Sequence, residues 1–268
     1  MINLIWETIK ERKWPVIIYS VISILLLLLY VALFPSLQSQ TQQLTEVLKS
    51  MPEGLLKALG SSPAQLSNFN LEALLASKQF SILFQLLAAI LAISIAGNDI
   101  TGEIEKGTIE FMLSQPISRL KFYFARFFSG LILLTIFVAC STLTVIPMAA
   151  AFHISYQADI YYKLFFVALL YSSAIYAFAY FLSSVFSSKG RVYGISAGVV
   201  TFMYIAFLIS ALKDSLDKLK YLSFFHYFSP DILFSGNIDK IGVWVFVSTI
   251  LLFVAIGAIY FSKRDITI

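Results

Sequence analysis

Gly97-Asn98-Asp99-Ile100-Thr101-Gly102-Glu103-Ile104-Glu105-Lys106-Gly107-Thr108-Ile109-Glu110-Phe111-Met112-Leu113-Ser114-Gln115-Pro116-Ile117-Ser118-Arg119 is the stretch on which the fold turns. Read on to Arg126, it carries eight charged residues, and an apolar run long enough to cross a bilayer lies on each side of it. A charged hairpin of this length between two lipid-compatible runs needs a physical reason, and an aqueous partner that grips it is one.

Composition agrees with the flanking runs. Hydrophobic residues make up 59% of the 268-residue chain and charged residues 13%, where a soluble domain is roughly a quarter charged. Mean hydropathy is +0.85. The net charge of +4 does not point to nucleic acid, because the basic residues sit in short segments between apolar runs, as membrane orientation requires. Cys140 is the single cysteine and lies inside an apolar run, so no intrachain disulfide forms and a small buried hydrophobe is expected there.

A spanning helix needs about 20 predominantly apolar residues. Six segments qualify: about 15–34, 80–97, 128–150, 164–186, 192–212 and 243–261. The first is too long for a secretory h-region of about 7–15 residues and no small-x-small site closes it, so a retained signal-anchor span is expected. The runs are continuous rather than alternating, which excludes an outer-membrane barrel. With no water in the bilayer core the backbone must bond to itself, so the runs are helices. The expected fold is an all-α integral membrane protein, one transmembrane domain over residues 1–268.

Six spans put both termini on one side. That side holds 1–14, 98–127, 187–191 and 262–268, with 11 Lys plus Arg, including all five arginines; the other side holds 8 in a longer total length. The positive-inside rule makes the first side the cytoplasm. Residues 1–14 place Ile2, Ile5, Trp6 and Ile9 on one face and charges on the other, which predicts an interfacial helix before Pro15 opens the first span. On the outer side, Ser50-Met-Pro52-Glu53 reads as a capping box and Gly60 as a C-cap, predicting a short helix between them. Six aromatic residues between Tyr221 and Phe234 predict an interfacial or re-entrant element at headgroup level. Gly190, Gly194 and Gly198, like Ala88, Ala92 and Ala96, recur every four residues and let helices approach closely, within one subunit or between two.

No span centre holds Asp, Glu, Lys or Arg, whereas ion-coupled carriers keep such residues there. His153 and His226 lie outside the apolar runs, and two histidines do not make a metal site. The sequence has no G-x-x-x-x-G-K-[ST] phosphate loop and no acid or base to partner Ser94, Ser141 or Thr144 in a catalytic constellation. Neither an enzyme nor a secondary carrier is expected, and no cofactor is assigned to the chain itself. Energy would then arrive mechanically through the 98–127 hairpin. There Gly107-Thr108 breaks one helix and starts another, which would present Ile109, Met112 and Leu113 along one apolar face until Pro116 stops it. Arg119 and Arg126 would sit near the lipid phosphates. Tyr171, Ser172 and Tyr176 are candidates either for lining a cavity or for helix contacts.

Glu103-x-x-x-Gly107-Thr108-x-Glu110-x-x-Leu113-Ser114-x-Pro116-Ile117-Ser118-Arg119 resembles the cytoplasmic signature of type-2 ABC exporter permeases. The resemblance extends to the N-terminal helix, the six spans, the Pro52–Gly60 segment and the aromatic stretch ending at Ser229-Pro230. It implies a permease subunit with a coupling helix over 104–114, in which Glu103, Gly107, Thr108, Ile109, Glu110, Met112, Leu113, Pro116 and Arg119 meet a partner or hold the geometry. Lys189, in the Ser187–Arg191 loop, would be a second contact. The implied partners are a separate ABC nucleotide-binding ATPase, which binds the ATP and Mg, a second permease subunit (self or paralogue) and membrane lipids, in the cell membrane. Amphipathic or hydrophobic cargo fits spans without internal charge. A non-transporting anchor or sensor that uses the same hairpin, and a permease for lipid-linked glycans, are the alternative readings.

Overall fold

The computed structural model describes residues 2–49, 70–109, 118–212, 214–228 and 232–264. Every regular element among them is helical. In chain order these are α1 (Ile2–Lys49), α2 (Leu71–Asp99), α3 (Thr101–Glu105), α4 (Arg119–Thr142), α5 (Val145–Ala151), α6 (Ala158–Val185), α7 (Lys189–Leu212), a 3-10 turn (Asp214–Leu222), α8 (Phe224–Tyr227), α9 (Ile232–Ser235) and α10 (Lys240–Lys263). Among the described residues six helical segments are long and apolar enough to cross a membrane, the expected number.

Local chemistry explains the ends. The Asn70 side chain accepts from Ala73 N–H at the start of α2, Ser118 from Lys121 N–H at the start of α4, and Asp239 from the Ile241 and Gly242 amides at the start of α10. Each satisfies amides that a helix start leaves open. The first part of α2 is π-helical over Ala76–Leu83.

Helix α6 is the hub. Two thirds (67%) of its most apolar window is buried, against 22% for α7 and for α10. It packs on α10, α2 and α4, while α1 lies along α4. Its tyrosines tie the bundle: Tyr171 Oη donates to Gln85 O (3.3 Å) in α2 and Tyr180 Oη to Tyr123 O (2.7 Å) in α4. Tyr123 Oη in turn donates to Val254 O (3.1 Å) in α10. Between helices already in lipid, close packing and such hydrogen bonds do the holding rather than the hydrophobic effect. Tyr171, Ser172 and Tyr176 are all buried, so of their two expected roles they serve as helix contacts. Ala88, Ala92 and Ala96 are buried inside the bundle, whereas Gly194 and Gly198 face open space.

Three expectations change. The N-terminal segment is not a separate interfacial helix: α1 runs unbroken through Pro15 and Pro35. Proline is tolerated inside spanning helices where neighbours satisfy the freed carbonyls, and here Thr8 is buried and Arg12 nearly so against the bundle. The first span also continues beyond residue 34, into what was expected to be loop. The aromatic stretch splits: Tyr221 is exposed, but Phe225 and Phe228 turn inward, Phe228 packing 5.1 Å from Tyr171 and 5.6 Å from Phe84 between ring centroids. The helix expected between Ser50 and Gly60 lies outside the described residues.

Candidate functional site: a buried ionic cluster under the charged hairpin

At Ile100 the backbone leaves α2 and restarts as α3, exposing amides and carbonyls that need partners. Ser183 of α6 supplies them on one side: its Oγ accepts from the Ile100 (3.3 Å) and Thr101 (3.1 Å) amides, and its carbonyl accepts from Thr101 Oγ1 at 3.0 Å. On the other side Arg12 of α1 donates from Nη2 to Asn98 O and from Nη1 to Ile95 O at 3.5 Å. A guanidinium suits the carbonyl end of a helix both as donor and as charge.

The same Arg12 pairs with Asp99 and, at 3.3 Å, with Glu103 Oε1. Arg126 Nη2 of α4 reaches Glu103 Oε1 at 3.2 Å, and its Nη1 donates to Thr8 Oγ1 at 3.0 Å. Its guanidinium carbon also lies 5.5 Å from the centroid of the Phe122 ring, in reach of a cation–π contact. Tyr176 Oη of α6 donates to Asp99 Oδ2 at 2.7 Å. Two guanidinium groups and two carboxylates thus form a neutral set, with side-chain exposure from 0% at Asp99 to 11% at Arg12. Burial of this many charges is tolerable only when each is paired and hydrogen-bonded, and the cluster meets that condition.

The cluster opens directly onto the hairpin. Thr108 Oγ1 donates to Glu103 Oε2. Gly107 has φ +69°, a left-handed value that favours glycine. Its amide bonds to Ile104 O (3.0 Å) and the Thr108 amide to Glu103 O (3.0 Å), the two bonds of a Schellman ending. Gly107 therefore ends α3 as expected, while Thr108 turns its hydroxyl back to Glu103. The start of α7 joins the same elbow: Lys189 N–H donates to Glu105 Oε1 at 2.6 Å and its Nζ lies 3.9 Å from Glu105 Oε2. Asn98 Nδ2 donates to Tyr193 Oη of α7 at 3.0 Å.

The expected site residues thus fall into groups. Glu103, Thr108, Gly107 and Lys189 come together on one elbow. Glu103 is 3% exposed, so it holds geometry rather than offering its carboxylate outward. Ile109, expected on a face presented to a partner, is instead fully buried in the chain's own core. Arg126, expected at the lipid phosphates, is buried on Glu103 because it falls on the inward side of α4. Arg119 lies apart, donating from Nη1 to Arg264 O. Arg264 in turn donates to Ser184 O (2.7 Å), Phe186 O (3.3 Å) and Ser187 Oγ; partial burial lowers the pKa of its guanidinium, with Tyr260 opposing. Glu110, Met112, Leu113 and Pro116 lie outside the described residues.

Sequence reasoning does not assign Arg12, Asp99 or Ser183 to the site, and it offers Tyr176 only as a cavity-lining or helix-contact residue. Asp99 and Glu103 stand four apart in sequence, a spacing that places two residues of one helix on the same face, a signal that two inward carboxylates need two cations. No group of three or more His, Cys, Asp or Glu among the described residues could hold a metal ion.

A family model described as ABC-2 family transporter protein matches residues 7–266. No curated protein matches the chain.

Proposed function

The chain belongs to the ABC-2 transporter family, and from that premise we propose that it is the membrane-spanning permease subunit of an ATP-driven exporter, working with a separate ABC ATPase. The observation that carries this reading is Glu103. One buried carboxylate at the root of the hairpin is bound to Arg12 of α1, Arg126 of α4 and Thr108 of the elbow. Ser183 and Tyr176 add α6, and Lys189 with Tyr193 adds α7. A push on the elbow is therefore delivered to five spans together, as a rigid-body switch requires.

The nucleotide supplies its energy in the partner; the residues of this chain receive and pass on displacement. Both termini and the elbow face the cytoplasm of the cell membrane in this reading, by the positive-inside distribution. A second permease subunit would close the assembly along α7, where Gly194 and Gly198 stand open. Beside them an apolar groove of about 290 Å³ between α2 and α7 is lined by Ile90, Ile93, Ser94, Tyr193 and Ala197, which suits amphipathic or hydrophobic cargo.

The test is reconstitution. Proteoliposomes holding this chain with its co-purified ATPase should move a fluorescent amphipathic cargo only when ATP is present. Equal movement by the chain alone would end the reading.

A further inference from the structure

Three cations at one end of the bundle stand in contrast to the neutral cluster. Arg119, Lys263 and Arg264 meet where α4, α6 and α10 end, Arg119 bonding to the Arg264 carbonyl. Arg264 spends three donor contacts on Ser184, Phe186 and Ser187. None of the three cations has a carboxylate partner among the described residues, although Arg12, Arg126, Lys163, Lys189 and Lys220 all do. Lys263 is exposed.

Lys263 and Arg264 also rim a groove of about 730 Å³ between the ends of α6 and α10, whose remaining lining is Val185, Ile256, Ile259 and Tyr260. The side chains of Ile256, Ile259 and Tyr260 are 42%, 59% and 45% exposed. The volume is in the range of sites that hold a drug-sized molecule, about 300–1,000 Å³, enough for a headgroup and part of one acyl chain. The groove is apolar along the helices and cationic at its end, and a tyrosine stands at the boundary, as aromatic residues do at headgroup level. Uncompensated basic groups beside a spanning helix attract anionic headgroups.

We propose that this groove binds an anionic phospholipid, with its phosphate on Lys263, Arg264 and Arg119 and an acyl chain along Val185, Ile256 and Ile259. The headgroup supplies a counter-charge that no carboxylate among the described residues gives these three cations. Because Arg264 holds the α6–α7 connection and Arg119 leaves the hairpin, the bound lipid braces both cytoplasmic elements. The site depends on membrane insertion alone, so it stands or falls separately from the export reading.

Native mass spectrometry of the full chain, released from detergent after equilibration with equal phosphatidylglycerol and phosphatidylethanolamine, tests it. The unmodified chain should retain phosphatidylglycerol preferentially. Lys263→Gln, at an exposed side chain, should lower that retention about fivefold, the roughly 1 kcal/mol of one basic residue at an anionic surface. Ile256→Trp, which fills the groove, should lower it as well. Equal retention of the two lipids, or an unchanged preference in both variants, would overturn the proposal. So would loss of a dimer in Ile256→Trp with phosphatidylglycerol retention intact, which would assign the groove to a second copy.

Discussion

Replacing Glu103 by glutamine keeps the shape of the side chain and removes one charge from a site that has no water to replace it. Two ion pairs are lost at once, to Arg12 at 3.3 Å and to Arg126 at 3.2 Å. Arg126, 1% exposed, loses its ion pair with Glu103, and the neutral set becomes a buried net cation. Removing one partner of such a pair costs about 3–5 kcal/mol, most of it the uncompensated charge. Glu103→Gln combined with Arg126→Gln leaves Arg12 and Asp99 to neutralise each other, so the double variant should be less destabilised than the two single variants added together. The expected coupling energy is about 1–3 kcal/mol. Unfolding of purified protein in mixed micelles, followed by circular dichroism across the four-member cycle, measures it. Additivity within about 0.5 kcal/mol would mean that the charges do not act as a unit, and would refute the reasoning.

Other consequences are as specific. Gly107→Ala meets no atoms but must adopt φ +69°; about 1–2 kcal/mol of backbone strain should appear as a lowered unfolding midpoint, with Gly107→Asn milder. Gly130→Ala would set its Cβ on the Tyr176 hydroxyl and displace it from Asp99, so a loss of about 1–3 kcal/mol and reduced yield of folded protein should follow. Lys189→Ala removes a partly exposed contact worth at most about 1 kcal/mol; stability should hold while ATPase stimulation by the assembled complex falls, and unchanged stimulation would deny the loop a role in coupling.

Much of this architecture is legible in one dimension because bilayer crossing leaves an uninterrupted apolar run and loops collect the charge. The six segments and the elbow between the second and third follow from that alone. The elbow's ending at Gly107 is also local, since it depends on one residue's freedom to take positive φ. What local pattern does not carry is pairing across the chain. Arg12 and Asp99 are 87 positions apart, and nothing in the amphipathic rhythm of residues 1–14 says that one arginine turns inward. Arg126 reads as a membrane-boundary cation by position and becomes a buried counter-ion by its face on α4. Pro15 reads as a helix start, yet α1 runs through it, as proline is tolerated within spanning helices. Ile109 reads as an offered surface because its intramolecular cover, the core of the bundle, is remote in sequence.

The account rests on force entering through the elbow, and site-directed crosslinking addresses that most directly. In a chain whose Cys140 is replaced by serine, a cysteine at exposed Lys106 should crosslink to the co-purified ATPase, and more strongly with nucleotide bound. A cysteine at Tyr162, 58% exposed near the start of α6 at the opposite end of the bundle, should not. Crosslinks from residue 162 and none from 106 would contradict the account.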